Sequence, residues 1–160
     1  DHPKVFRLHV QTTWDAWDLF AVFNFSAEPL HKSLPATGAV WDFWEERYAG
    51  VASGTYAVTV PPRSAKLLRV APARAHPWVL STDIHIRQGQ AELSGVAWDE
   101  AARELRFTTT RRGNVLLRVP KEFRAADPAG LWIAKDGNDS SLIVRVAVEP
   151  GERCIRFAKM

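Results

Sequence analysis

The chain has very little sulfur chemistry to offer. A single cysteine, Cys154, excludes an intrachain disulfide and hence a disulfide-stapled fold. It alternates with Ile155 in a strand-like run, which points to a buried structural thiol rather than a nucleophile. No apolar run approaches the ~20 residues of a membrane helix, so no membrane partner is expected. No signal peptide is visible. Charge of one sign is scarce as well. The net charge is +3, and the 21 Lys and Arg residues are scattered, with Arg111-Arg112 the densest pair. Nucleic-acid binders concentrate such residues on one face or run, so no nucleic-acid partner is expected.

Motifs of chemistry are also missing. There is no G-x-S-x-G elbow, since Gly50-Val51-Ala52-Ser53-Gly54 carries those letters in the wrong order. No phosphate-binding glycine loop occurs. His2, His9, His31, His76 and His85 lack metal-ligand spacing, with or without Cys154, so neither metal nor cofactor is expected. Asp136-Gly137-Asn138-Asp139-Ser140 is oxygen-rich, but its Gly comes too early for an EF-hand, and an Asx turn is the expectation. Asn24-Phe25-Ser26 and Asn138-Asp139-Ser140 match the glycosylation pattern, though Asn24 falls within a strand-like run.

What is present is a series of short apolar runs separated by turn residues. Val5–Val10 and Leu19–Phe25 read as strands, with a loop or distorted edge between them over 11–18. Leu30–Leu34 reads as a short strand before a turn at Pro35 and Gly38. Ala39–Trp44 and Tyr48–Val51 flank a charged turn, and Ser53-Gly54 reads as another turn before Thr55–Val60. Pro61-Pro62 interrupts before Ala65–Val70. Two prolines in an Ala-rich stretch then mark a stiff linker. A second series follows through Leu105 and Phe107, Val115–Val119, Leu131–Ala134, a turn at 136–138, Ser141–Val148 and Arg153–Phe157. Both series end in strand, Pro break, strand, as a duplicated plan or a generic terminal hairpin does. The pattern predicts an all-β antiparallel β-sandwich protein, as two small sandwich domains in tandem. Their spans are 1–72, a linker at 73–77, and a second, immunoglobulin-like sandwich over 78–160.

The candidate chemistry rests on carboxylates and tryptophans. Asp42 lies between Trp41 and Phe43, with Glu45 and Glu46 nearby, but a catalytic pair must face across a cleft. A structural Asp bonded to backbone or Arg is the expectation, and no catalytic residue is assigned. Seven tryptophans offer flat faces on which sugar rings stack. Trp14 and Trp17 share a predicted loop with Asp15 and Asp18, so these four are the candidate carbohydrate-binding residues. Packing against a core or neighbouring domain is the competing reading. Trp41, Trp44, Trp78, Trp98 and Trp132 lie in or beside strand-like runs and are expected in core packing or domain contact.

Asp42-Phe43-Trp44, Glu45-Glu46-Arg47, Gly50, Tyr56–Val60, Pro61-Pro62-Arg63-Ser64 and Leu67-Leu68-Arg69-Val70 together resemble the C-terminal β-sandwich of α-galactosidase (melibiase)-type glycoside hydrolases. Leu19–Phe25 with Ser26-Ala27-Glu28-Pro29 is similar to a strand of that family. Arg63 stands where many relatives carry His. His76–Gly89 resembles the start of a further β-domain found after this sandwich in some bacterial glycosidase-like proteins. The resemblance implies a non-catalytic accessory domain whose partner is a preceding catalytic (β/α)₈ barrel, which carries the catalytic aspartates. The opening Asp1-His2-Pro3, with no Met, fits a piece of a longer protein. A carbohydrate-binding module and an immunoglobulin-like protein-interaction domain remain the alternatives.

Overall fold

The computed structural model describes residues 4–135 and 139–160, and the predicted turn at 136–138 lies outside them. Among the described residues every regular element is a strand: β1 Val5–Gln11, β2 Ala16–Asn24, β3 Leu30–Asp42, β4 Arg47–Val60, β5 Ser64–Ala71, β6 Trp78–Thr82, β7 Leu93–Asp99, β8 Glu104–Thr109, β9 Gly113–Val119, β10 Phe123–Ala125, β11 Leu131–Lys135, β12 Leu142–Val148 and β13 Gly151–Lys159. They form three antiparallel sheets. The protein is therefore all-β, as the period-2 runs require. The chain divides into two compact units. One takes the residues up to Gln11 together with Ala16–Ala73, and the other takes Thr12–Asp15 together with Arg74–Met160.

The first unit is one five-stranded sheet in the order β1-β2-β5-β3-β4. β3 and β4 are 13 and 14 residues long and run through the positions expected to turn. The reason lies in the register. Pro35 pairs with Thr55, Ala36 with Gly54, Thr37 with Ser53 and Gly38 with Ala52, so the breakers of both strands face each other. The ladder runs unbroken through all of them. Only the inner part of β3, Ala39–Asp42, also pairs with β5. The outer part has a neighbour on one side only, where proline is tolerated. Gly38 has φ 131°, and a Cβ there would collide with the Ala71 carbonyl oxygen. Beyond it, Leu34, Ala36, Ala52, Val58 and Val60 join Phe20, Val22, Val40, Leu68 and Val70 in one buried cluster. One hydrogen-bonded sheet thus supplies both layers of its own core.

The second unit has two four-stranded sheets, β10-β13-β8-β7 and β11-β12-β9-β6. Leu105, Phe107, Ile155 and Phe157 from one meet Val115, Leu117, Val144 and Val146 from the other in a single cluster. Each such side chain, fully buried, contributes about 1.5–3 kcal/mol. Neither proline break closes a terminal hairpin. β5 pairs with β2 and β3 rather than β4, and β12 and β13 belong to different sheets. A proline stops the ladder, and the next strand pairs elsewhere.

Candidate functional site

Gln11–Asp18 is not one loop. β1 ends at Gln11 and β2 begins at Ala16, leaving 12–15 as the turn. Thr12 ties that turn: its hydroxyl accepts from the amides of Trp14 at 3.2 Å and Asp15 at 2.9 Å, and its own amide donates to the Asp15 carbonyl. The four candidate sugar ligands consequently divide. Trp14 and Asp15 belong to the second unit, and Trp17 and Asp18 to the first.

Within the second unit the Asp15 side chain is 1% exposed. Its Oδ1 accepts from Arg74 Nη2 and its Oδ2 from Trp78 Nε1, both at 2.9 Å. The Arg74 guanidinium also lies 4.9 Å from the Trp78 ring centroid. Trp14 is half-buried, tilted at 60° to Trp78 with centroids 6.2 Å apart. The other side of its ring edge is Gly89, where a Cβ would come within 3.2 Å. This is a packed corner anchored by an ion pair between the buried Asp15 carboxylate and the partly exposed Arg74.

Within the first unit Trp17 is 1% exposed, and the Arg69 guanidinium sits 4.2 Å over its ring. The expectation of a free stacking face at Trp17 is corrected accordingly, because a cation and the protein interior occupy it. Asp18, the next residue, points to the other face of β2. It accepts from Arg7 at 2.7 Å and is hydrogen-bonded to His9 Nδ1 at 2.9 Å. Burial pushes its pKa up, but the hydrogen bonds and charges of Arg7 and His9 outweigh this and hold it below the ordinary value.

Asp42 is likewise committed. It is 3% exposed, accepts from the Glu45 amide, and pairs with Lys66 Nζ at 2.9 Å. Its partner is the expected backbone amide plus Lys rather than Arg. Lys66 also meets Glu45 at 3.0 Å, which holds the Glu45 pKa down. Burial alone pushes the Lys66 pKa down, yet the hydrogen bonds from Asp42 and Glu45 leave it raised overall.

Cys154 is exposed, not buried as its strand-like setting suggested. Ile155 and Phe157 point into the core, so alternation turns Cys154 outward. Partial desolvation and the neighbouring Glu104 carboxylate push its thiol pKa up, so it stays protonated at neutral pH. Among the described residues no three His, Cys, Asp or Glu side chains gather as a metal-ion site. No described helix is long and apolar enough to cross a membrane. Asn24 is 3% exposed, and its side chain is fully engaged. Nδ2 donates to the carbonyls of Glu28, Val60 and Pro61, and Oδ1 accepts from Ser26, so Asn24 is not an accessible glycosylation acceptor; the other match, Asn138, lies outside the described residues.

Two surface features escaped the sequence reading. On the first unit, β1 and the residue following β2 present Phe6, Leu8 and Phe25, which are 52%, 46% and 65% exposed. Phe23 sits among them, edge-on to Phe6 at 5.8 Å and parallel to Phe25 at 5.9 Å. A shallow groove of about 430 Å³ runs beside them, bounded by Arg63, Ser64 and Ala65. Alternation in Val5–Val10 and Leu19–Phe25 was the available signal. On the second unit, Trp132 is exposed with Arg145 over its ring, and Trp44 of the first unit is exposed in the β3–β4 turn. The expectation of core packing is corrected for both, whereas Trp41 and Trp78 are buried. Compared with known proteins, the chain matches no family model and no curated protein.

Proposed function

We propose that this chain is a non-catalytic accessory part of a glycoside hydrolase, with the aromatic face of its first unit docked on the catalytic (β/α)₈ barrel of the parent protein. The observation that carries this reading is the exposed trio Phe6, Leu8 and Phe25, with half-buried Phe23 packed against two of them, a patch that a free surface rarely bears. Completing the burial of these half-covered side chains is worth about 1 kcal/mol or more each. The resemblance of 40–70 to the α-galactosidase C-terminal sandwich supplies the identity of the partner. The carboxylates nearest to a catalytic pattern agree with a supporting role. Asp15, Asp18 and Asp42 are each held by a cation, Arg74, Arg7 and Lys66 in turn. An acid or base already neutralised by a fixed partner is poorly placed to move a proton to substrate.

The test is reconstitution. The barrel segment of the parent protein, produced separately, binds this chain, and Phe25→Asp weakens that binding at least tenfold while leaving the chain folded. The isolated chain releases no p-nitrophenol from p-nitrophenyl α-galactoside. Unchanged binding by Phe25→Asp sinks the docking face. Turnover that disappears in Asp42→Asn sinks the non-catalytic reading.

A further inference from the structure

We propose that the free edge of β1 is a self-association surface: two copies of this chain pair their β1 strands antiparallel about a two-fold axis at Leu8 and join their five-stranded sheets. β1 is the outermost strand of its sheet and pairs only with β2. The parity of that ladder is fixed at both ends. Phe23 N–H donates to the Lys4 carbonyl, and Thr12 N–H donates to the Asp15 carbonyl. Phe6, Leu8 and Val10 therefore aim their backbone groups at β2, and Val5, Arg7, His9 and Gln11 aim theirs away from it. Among the described residues nothing bonds to the outward groups. Phe6, Arg7, Leu8 and His9 are exposed in succession, so the strand is open on both faces as well as along its edge.

Native sheets ordinarily guard such an edge. The other outer strands are guarded: β4, β6 and β7 each carry a bulge, and β10 and β11 have three and five residues. β1 pairs through seven residues with no register shift and contains neither Pro nor Gly. Its charged side chains do not block the approach. Arg7 and His9 turn back to β2, where they meet Asp18 at 2.7 and 2.9 Å, and the Arg7 guanidinium lies 5.4 Å from the Phe20 ring centroid.

Register and charge make a second copy the occupant. A centre at Leu8 sets Val5 against the partner's Gln11, Phe6 against the partner's Val10 and Arg7 against the partner's His9. All seven residues are used, and the outward groups of each strand meet those of the other. A centre at Arg7 would oppose two guanidiniums and leave the end of each strand unpaired. Leu8 meets the partner's Leu8 at a non-hydrogen-bonded position, where Cα atoms approach to ~4.5 Å. On the opposite face, each row across the joined sheet carries Asp18 and His9 of one copy and the partner's Arg7, one carboxylate to one guanidinium. The contact is isologous, so it closes at two copies and hides both edges.

This pairing uses backbone groups and does not rest on the barrel-docking reading. Sedimentation equilibrium of the whole chain, from low micromolar to high micromolar concentration, tests it. A species of twice the chain mass is expected at the upper end. Arg7→Pro removes an outward N–H and leaves the bonds between β1 and β2 in place, so it is expected to weaken the association about tenfold or more. Phe25→Asp, which breaks barrel docking, is expected to leave it within about twofold. Amide hydrogen exchange needs no variant and decides alone if Arg7→Pro disrupts the fold. The Arg7 and His9 amides are expected to slow as concentration rises, whereas those of Phe6 and Leu8, already bonded to β2, are slow throughout. A monomer at every concentration overturns the proposal. So does a dimer that Arg7→Pro leaves intact, that Phe25→Asp abolishes, or in which the Arg7 and His9 amides stay fast.

Discussion

Both units contain a cluster of aromatic rings, and the two clusters have opposite fates. In the second unit Trp98 meets Phe123 edge-on at 5.6 Å and Phe157 at 6.0 Å, and His76 stacks on its other side at 5.2 Å. Phe123 and Phe157 are each 2% exposed. In the first unit Phe6 and Phe25 remain more than half exposed. The rings are alike, so composition does not decide the difference. The second unit closes two sheets over its rings, whereas the first folds one sheet onto its other face and leaves these rings uncovered. Aromatic content thus stabilises one unit and marks the surface of the other.

The widest separation between the two clusters comes from truncating one ring of each. Phe157→Ala is expected to destabilise the chain by about 3–5 kcal/mol, since it deletes a fully enclosed ring and leaves a cavity. Phe25→Ala is expected to cost under about 0.5 kcal/mol, as a surface change does. Urea unfolding of the two variants checks this. Equal losses would mean that Phe25 is a core residue and would remove the docking face.

The next largest effect concerns charge. Asp15→Ala strands the Arg74 guanidinium and the Trp78 indole N–H in the second unit. Breaking a buried pair by removing one partner costs about 3–5 kcal/mol. Arg74 retains 34% side-chain exposure and recovers part of this from water, so about 2 kcal/mol is expected. Thermal unfolding of Asp15→Ala beside Phe157→Ala gives the order. A loss under 0.5 kcal/mol would show that the carboxylate does not anchor the turn, and would return Asp15 to the list of ligand candidates.

The strands were legible wherever polar and apolar residues alternate, as in Glu104–Thr109 and Leu142–Val148. Local breakers misled the reading. Gly54 and Pro35 look like turns alone, and only the cross-strand register shows them as diagonal neighbours within an unbroken stretch of one ladder. Trp14 and Trp17 look like a pair, but the turn at 12–15 ends one residue after Trp14 and puts Trp17 inside a strand. Glu92 gave no local sign of burial, because its partner Thr82 is ten residues away on β6. A buried carboxylate is a tertiary fact. The nearest hint was Ser81-Thr82 at the end of the apolar Trp78–Leu80 run.

The smallest expected effect is a pH dependence at Asp18, on β2 in the first unit. Burial pushes its folded-state pKa up, but the hydrogen bonds and charges of Arg7 and His9 outweigh this and leave it below the ordinary carboxylate value. A depressed carboxylate contributes stability that is fully present above its unfolded pKa of about 3.9 and is lost as pH falls through the lower folded value. Arg7 is 54% exposed and partly screened, so the contribution is a few tenths of a kcal/mol, about one or two degrees in Tm. Wild type should therefore melt above Asp18→Asn at pH 6, with the gap closing as pH falls below about 4. A gap constant over that range would mean that packing on β2, not the ionised carboxylate, is what Asp18 contributes. A gap that widens on acidification would reverse the sign and show that the protonated acid is the form the fold prefers.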